Sequence, residues 1–163
     1  MLPKVKTILY ASDIGEGSRP AFRRALALCG DEHTEITYLN VIEPMGANAK
    51  AIVSSVIPDE QLKAFHDEGI TRLKETIHER ITRFFDDEMG DEANLDPSKV
   101  SVQVEEGIVW QTILDVADEV DADVIVMGCR THSAIGQALL GSTANKVMYH
   151  SHRPVLIVPL GKS

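Results

Sequence analysis

The sequence predicts a doubly wound α/β fold, a five-stranded parallel sheet with helices on both faces. Two observations predict it. Five short apolar or alternating runs recur along the chain, and amphipathic helical segments separate them. Strands that alternate with helices need crossover connections, which makes the sheet parallel. The 163 residues fit one domain spanning 1–163. A chain of that size buries about 70% of its unfolded surface and needs no disulfide or structural metal.

The first strand is Lys6-Thr7-Ile8-Leu9-Tyr10-Ala11, apolar without a helical period and closed by Asp13 before Gly15 and Gly17. Ser18 is the expected N-cap of the helix that follows, with Pro20 in its first turn. Phe22, Ala25, Leu26 and Cys29 have i, i+3, i+4, i+7 spacing, and Gly30 ends that helix. Glu35 to Ile42 is the second strand, broken by Pro44. Gly46 to Ile57 is read as an irregular, small-residue-rich flap. Pro58-Asp59-Glu60 opens the longest helix, running to about Met89, with Leu62, Phe65, Leu73, Ile77, Ile81 and Phe84 as its stripe. The acidic stretches Asp86-Asp87-Glu88 and Gly90-Asp91-Glu92 are read as a solvated helix end and loop.

Val100 to Val104 alternates as the third strand. Gly107 precedes a helix whose buried face is Ile108, Ile113, Val116 and Ala117, with Trp110 as a packing anchor. Asp123 to Met127 is the fourth strand, ending at Gly128. Gly141-Ser142-Thr143 opens a last helix through Val147 and Met148, and Pro154 to Val158 is the fifth strand.

Lys and Arg number 16 against 25 Asp and Glu, a formal charge of −9. That balance argues against nucleic acid and anionic lipid, whose binding needs clustered positive charge. Nothing in the sequence approaches the roughly 18 apolar residues of a membrane span. The start of the sequence lacks a signal-peptide core, so a cytoplasmic location is expected. The two cysteines, Cys29 and Cys129, read as reduced thiols rather than a framework.

Ligands of an open parallel sheet bind beyond the carboxyl ends of its strands, where strand order reverses. Ala11 to Gly15, Val41 to Glu43, and Gly128 to Thr143 should meet there. Glycine at a strand end lets a ligand approach the backbone. Gly141-Ser142-Thr143 at a helix start offers free amides, two hydroxyls and the positive end of the dipole, which suits a phosphate. The same residues also serve as an ordinary glycine turn with capping groups, and spacing alone leaves both readings open.

The succession Ile8-Leu9-Tyr10-Ala11-Ser12-Asp13, Leu39-Asn40-Val41, Val126-Met127-Gly128, Gly141-Ser142 and Arg153-Pro154-Val155-Leu156-Ile157-Val158-Pro159 resembles the universal stress protein family over nearly the whole chain. The resemblance implies a Rossmann-like fold of the adenine nucleotide alpha hydrolase type. It also implies an ATP or AMP ligand, with Mg²⁺, and a regulatory or stress-linked role with a partner protein the chain does not specify. By resemblance, Val41 contacts the base and Asp13 lies near the ribose or adenine, where it accepts a hydroxyl hydrogen bond or faces Mg²⁺. Capping of the turn from Gly15 to Ser18 is the alternative role of Asp13, and Ala11 and Met127 would belong to the same nucleotide-binding set. Gly128, Arg130, Thr131, His132 and Ser133 would wrap the ribose and phosphates, with Arg130 either supplying positive charge or pointing to solvent. Gly141, Ser142, Thr143 and Ala144 would hold the phosphate tail. Relatives pair their terminal strand, here Val155, Leu156, Ile157 and Val158, antiparallel with a second copy in a homodimer.

Two departures bear on this. The family's nucleotide-binding branch has Gly, two residues, Gly, nine residues, then Gly-Ser or Gly-Thr. Here Gly128 and Gly141-Ser142 stand in place, but Thr131 occupies the second glycine's position. At positive φ a β-branched residue costs about 1–2 kcal/mol. Ala11 also replaces a common proline. A dimeric interaction module with an empty pocket is therefore the alternative. No Walker loop, no GxGxxG and no nucleophile elbow occurs. His150/His152 and Cys129/His132 lack the partners of a metal set. No residue is an evident general base, so binding rather than catalysis is expected, with slow ATP hydrolysis as the upper bound.

Overall fold

The computed structural model describes residues 2–30, 32–89, 97–130 and 140–161. Five parallel strands form the sheet: β1 (Thr7–Ala11), β2 (Glu35–Ile42), β3 (Val100–Glu106), β4 (Val124–Cys129) and β5 (Val155–Pro159). Their order is β3-β2-β1-β4-β5, so β1 is central and β5 ends one side. Ala11 stands opposite Leu39 on β2 and Met127 on β4, which brings three strand tips level. Helices α1 (Arg19–Ala27) and α3 (Asp59–Phe84) cover one face. Helices α4 (Val109–Glu119) and α5 (Ser142–His150) cover the other. The remaining helix, α2 (Ala47–Val56), buries none of its side chains.

Sheet alternation sorts the core into two halves. Ile8, Tyr10, Ile36 and Tyr38 point to the α1/α3 side and meet Phe22, Ile77, Ile81 and Phe84. Leu9, Ala11, Leu39 and Met127 point to the α4/α5 side and meet Ile113, Val116, Ala144 and Val147. On the first side the rings of Tyr10, Phe22, Tyr38 and Phe84 interlock edge to face or tilted, with centroids 4.8 to 5.6 Å apart. Each such contact adds about 0.5–1.5 kcal/mol beyond burial.

Several readings are corrected. The segment read as an irregular flap is the helix α2, which buries no side chain and covers only Val53 in part. Phe65, placed in the stripe of the long helix, is 60% exposed, because α3 rests on the sheet only through its second half. Ile108 precedes α4 and is 56% exposed rather than buried. Ser18 occupies the N-cap of α1 but its hydroxyl caps nothing; its carbonyl accepts from Ala21, and from the Tyr10 hydroxyl at 3.4 Å. The end of α3 continues as a π-turn, Phe85–Met89. Asp87 and Glu88 in that turn pair with Arg19 and Arg23 of α1 at 2.8 to 3.4 Å, so this acidic end ties two helices together. The stretch Gly90-Asp91-Glu92 lies outside the described residues. Trp110 packs against the α4/α5 core and stacks on His150 at 4.7 Å. No helix among the described residues is long and apolar enough to cross a membrane.

Candidate functional site

Strand order reverses between β1 and β4, and there a cavity of about 390 Å³ opens beyond the strand tips. Ala11 and Asp13 reach it from β1 and its turn, Val41 from β2, and Met127, Gly128 and Arg130 from β4 and the residue after it. Gly141, Ser142, Thr143 and Ala144 close it at the start of α5. Thr131, His132 and Ser133 lie outside the described residues. The sequence reading missed the cavity's other walls. Val109 and Ile113 come from α4, and Leu160 comes from beyond β5. The i, i+4 spacing of Val109 and Ile113 was the available signal, but it reads equally as plain core.

Two parts of the cavity lining differ in chemistry. Leu39, Val41, Val109, Ile113 and Met127 form an apolar wall suited to a flat ring. Elsewhere in the lining Gly141 is the N-cap of α5 and, being glycine, offers no side-chain cap. The Gly141 amide donates to the Cys129 thiol at 3.3 Å, while among the described residues no side chain caps the first-turn amides at Ser142, Thr143 and Ala144. The positive end of the helix dipole adds to them. Gly141 has φ −59 and ψ 154, open to any residue, and a Cβ there would meet nothing within 4 Å. Its lack of a side chain keeps the cavity lining at the start of α5 free of a Cβ.

Gly128 has a different reason. A Cβ there would lie 2.5 Å from Leu160 Cδ1 and 2.8 Å from Cγ. This glycine makes room for a buried leucine of the chain itself.

The turn after β1 is strained and doubly held. Ile14 adopts φ +60, a conformation costly for a β-branched residue. Its amide donates to Ser12 Oγ at 3.1 Å and its carbonyl accepts from Arg80 Nη1 at 2.6 Å. The Gly15 amide donates to Asp13 Oδ1 at 2.8 Å. Arg130 folds across the same turn, 3.3 Å from Asp13 Oδ2 through Nε and donating to the Glu16 carbonyl at 2.7 Å through Nη1. A side chain at Gly15 would collide with that guanidinium. Arg130 is thus neither solvated nor free for a ligand in this state. Partial burial works against ionisation of Asp13, but the Gly15 amide and Arg130 outweigh it and hold the carboxyl below its usual range. Among the described residues no three His, Cys, Asp or Glu side chains gather as a metal set.

Comparison with known proteins gives a consistent picture. The sequence pattern of the universal stress protein family matches residues 4–159. Universal stress protein G of Salmonella typhimurium is 38% identical over 90 residues, 55% of this chain and 61% of that relative's length. Universal stress protein MJ0577 of Methanocaldococcus jannaschii is 26% identical over 153 residues, 94% of each chain. Its solved structure superposes with a TM-score of 0.65, covering 99% of this chain and 100% of that one. A solved universal stress protein in complex with cAMP, 19% identical, has a TM-score of 0.62 over 97% of this chain and 99% of its own.

Proposed function

Because the chain belongs to the universal stress protein family, we propose that it binds an adenine nucleotide, ATP or AMP, and acts as a cytoplasmic regulatory module of the stress response. The observation that carries this reading is the cavity at the strand reversal, whose lining joins an apolar wall to the first-turn amides of α5. A purine ring fits the first and a phosphate the second. The cAMP complex of a relative supports the ligand class. Asp13 would accept a ribose hydroxyl or face Mg²⁺, and Arg130, released from Asp13, would turn to the phosphates. Thr131, His132 and Ser133 belong to the same proposed site. A homodimer through the β5 edge accompanies this reading.

A second reading, an interaction module of the same fold without nucleotide, is favoured by one observation. Arg130 already satisfies Asp13 and the Glu16 carbonyl, so the cavity's nearest cation has its partners within the chain.

One experiment separates the two. Purified protein is denatured and the released small molecules are weighed by mass spectrometry, followed by calorimetry with ATP and Mg²⁺. Recovery of ATP or AMP, or a saturable heat, is the expected result. Gly141→Val should lower affinity more than about tenfold, by blocking close approach to the amides. Its cost to stability should be only about 1 kcal/mol, because its Cβ meets open space and valine is merely a poorer N-cap than glycine. No nucleotide and no heat would leave the interaction module standing.

A further inference from the structure

A second cavity, of about 320 Å³, lies on the other side of the 12–18 turn, between α1 and α3. Its size falls in the roughly 300–1,000 Å³ range of small-molecule sites. Its floor is aromatic: Tyr10, Tyr38, Phe22 and Phe84 line it, with Ile81 beside them. Burial pushes the Tyr38 phenol up, so it stays neutral and presents a ring rather than a charge.

The rim is arginine. Arg19, Arg80 and Arg83 all line the cavity, in a chain whose net charge is −9. Arg19 is neutralised, held by Asp87 at 2.9 Å and Glu88 at 3.4 Å. Arg80 gives one donor, Nη1, to the Ile14 carbonyl, leaving the rest of a five-donor fork. Arg83 makes no hydrogen bond or ion pair with the described residues. Being three apart on α3, Arg80 and Arg83 are neighbours on one helix face. Glu16 is the acidic side chain of the lining. Within the lining, two guanidiniums with no carboxylate partner among the described residues stand with one carboxylate, Glu16, around an aromatic floor.

We propose that this cavity is a second ligand site, taking a small monoanionic organic acid, a carboxylate on an aromatic or branched apolar body. The carboxylate would lie in the fork of Arg80 and Arg83, which suits bidentate recognition. Its apolar body would rest on Phe22, Ile81 and Phe84. The site is independent of the nucleotide reading. It does share Tyr10 and Ser18 with the first cavity, and Arg80 grips the same strained turn that Arg130 grips from the other side.

Benzoate is the probe, titrated into the full chain at constant ionic strength and followed by NMR on the ring signals of Phe22, Tyr38 and Phe84. Saturable shifts confined to these rings are expected. Arg83→Gln, an exposed change that leaves folding intact, should weaken binding about tenfold. Benzyl alcohol should not reproduce the shifts at the same concentrations. Gly141→Val should retain them, which separates this site from the nucleotide cavity. The proposal is overturned if benzoate gives no saturable shift up to its solubility. It is equally overturned if Arg83→Gln binds as well as the parent, or if benzyl alcohol binds as well as benzoate.

Discussion

Gly128→Ala tests whether the strand-end glycine serves the ligand or the chain. The new Cβ would fall 2.5 Å from Leu160 Cδ1, 2.8 Å from Cγ and 3.2 Å from Cδ2. Leu160 cannot easily retreat, because its amide donates to the Cys129 carbonyl at 2.8 Å and its side chain is 5% exposed. Overpacking of this kind costs about 1–3 kcal/mol. Stiffening the unfolded chain offsets about 0.4–1 kcal/mol. A net loss of about 1–2 kcal/mol corresponds to a fall in Tm of roughly 2–8 °C for a chain of this size. Calorimetric melting of the four proteins of a cycle with Leu160→Ala is the assay. Leu160→Ala alone should cost about 2–5 kcal/mol. In that background Gly128→Ala should be neutral or stabilising, a coupling on the order of 1–3 kcal/mol. Equal cost in both backgrounds, or no cost in the parent, refutes the packing argument. Lost ATP affinity at an unchanged Tm would return the glycine to the ligand.

Two further predictions concern the surface. His66 Nε2 lies 2.6 Å from Glu106, and that hydrogen bond, against a smaller opposing effect of desolvation, raises the imidazole above its ordinary 6.5. The pair's contribution to stability is therefore full below about pH 6.5 and fades as pH rises through the raised value. An NMR titration should show the raised midpoint, and Glu106→Gln should return it toward 6.5; no change would remove Glu106 as the cause. For assembly, light scattering at several concentrations should give a dimer for the parent and a folded monomer for Ile157→Pro. A parent that stays monomeric at high concentration would sink the dimer.

The sheet was legible because each strand is a continuous or alternating apolar run closed by turn residues, as in Ile8 to Ala11 and Val124 to Met127. Helix α2 was not, because periodicity records burial and none of its side chains is buried. Phe65 and Ile108 misled for the converse reason: apolar residues at helical spacing look like core even where the helix overhangs its sheet. At the candidate site, motif order brought Ala11, Asp13, Val41 and Gly141 to one cavity. Arg130's closure on Asp13 was invisible, since it joins residues 117 positions apart. So was the role of Gly128, which depends on a leucine that no local pattern connects to it. The faces of β5 were not legible either. Leu156 packs on the α1/α3 core and Ile157 on the α4/α5 core, so neither side chain is the outward one.

What β5 turns outward is its backbone. Ile125 donates to the Pro154 carbonyl and Leu160 to that of Cys129, so the even-numbered residues address β4. Val155, Ile157 and Pro159 then address whatever lies beyond. Only the first two can donate, because proline has no N–H. Any strand arriving at this edge, native or misfolded, finds a ladder two donors long that stops at a residue unable to extend it. A long open edge recruits chains without limit, whereas a short one ended by proline disfavours pairing that extends beyond a few residues. The apolar terminal strand thus carries its own stop, a proline that limits how far an arriving strand can pair along it.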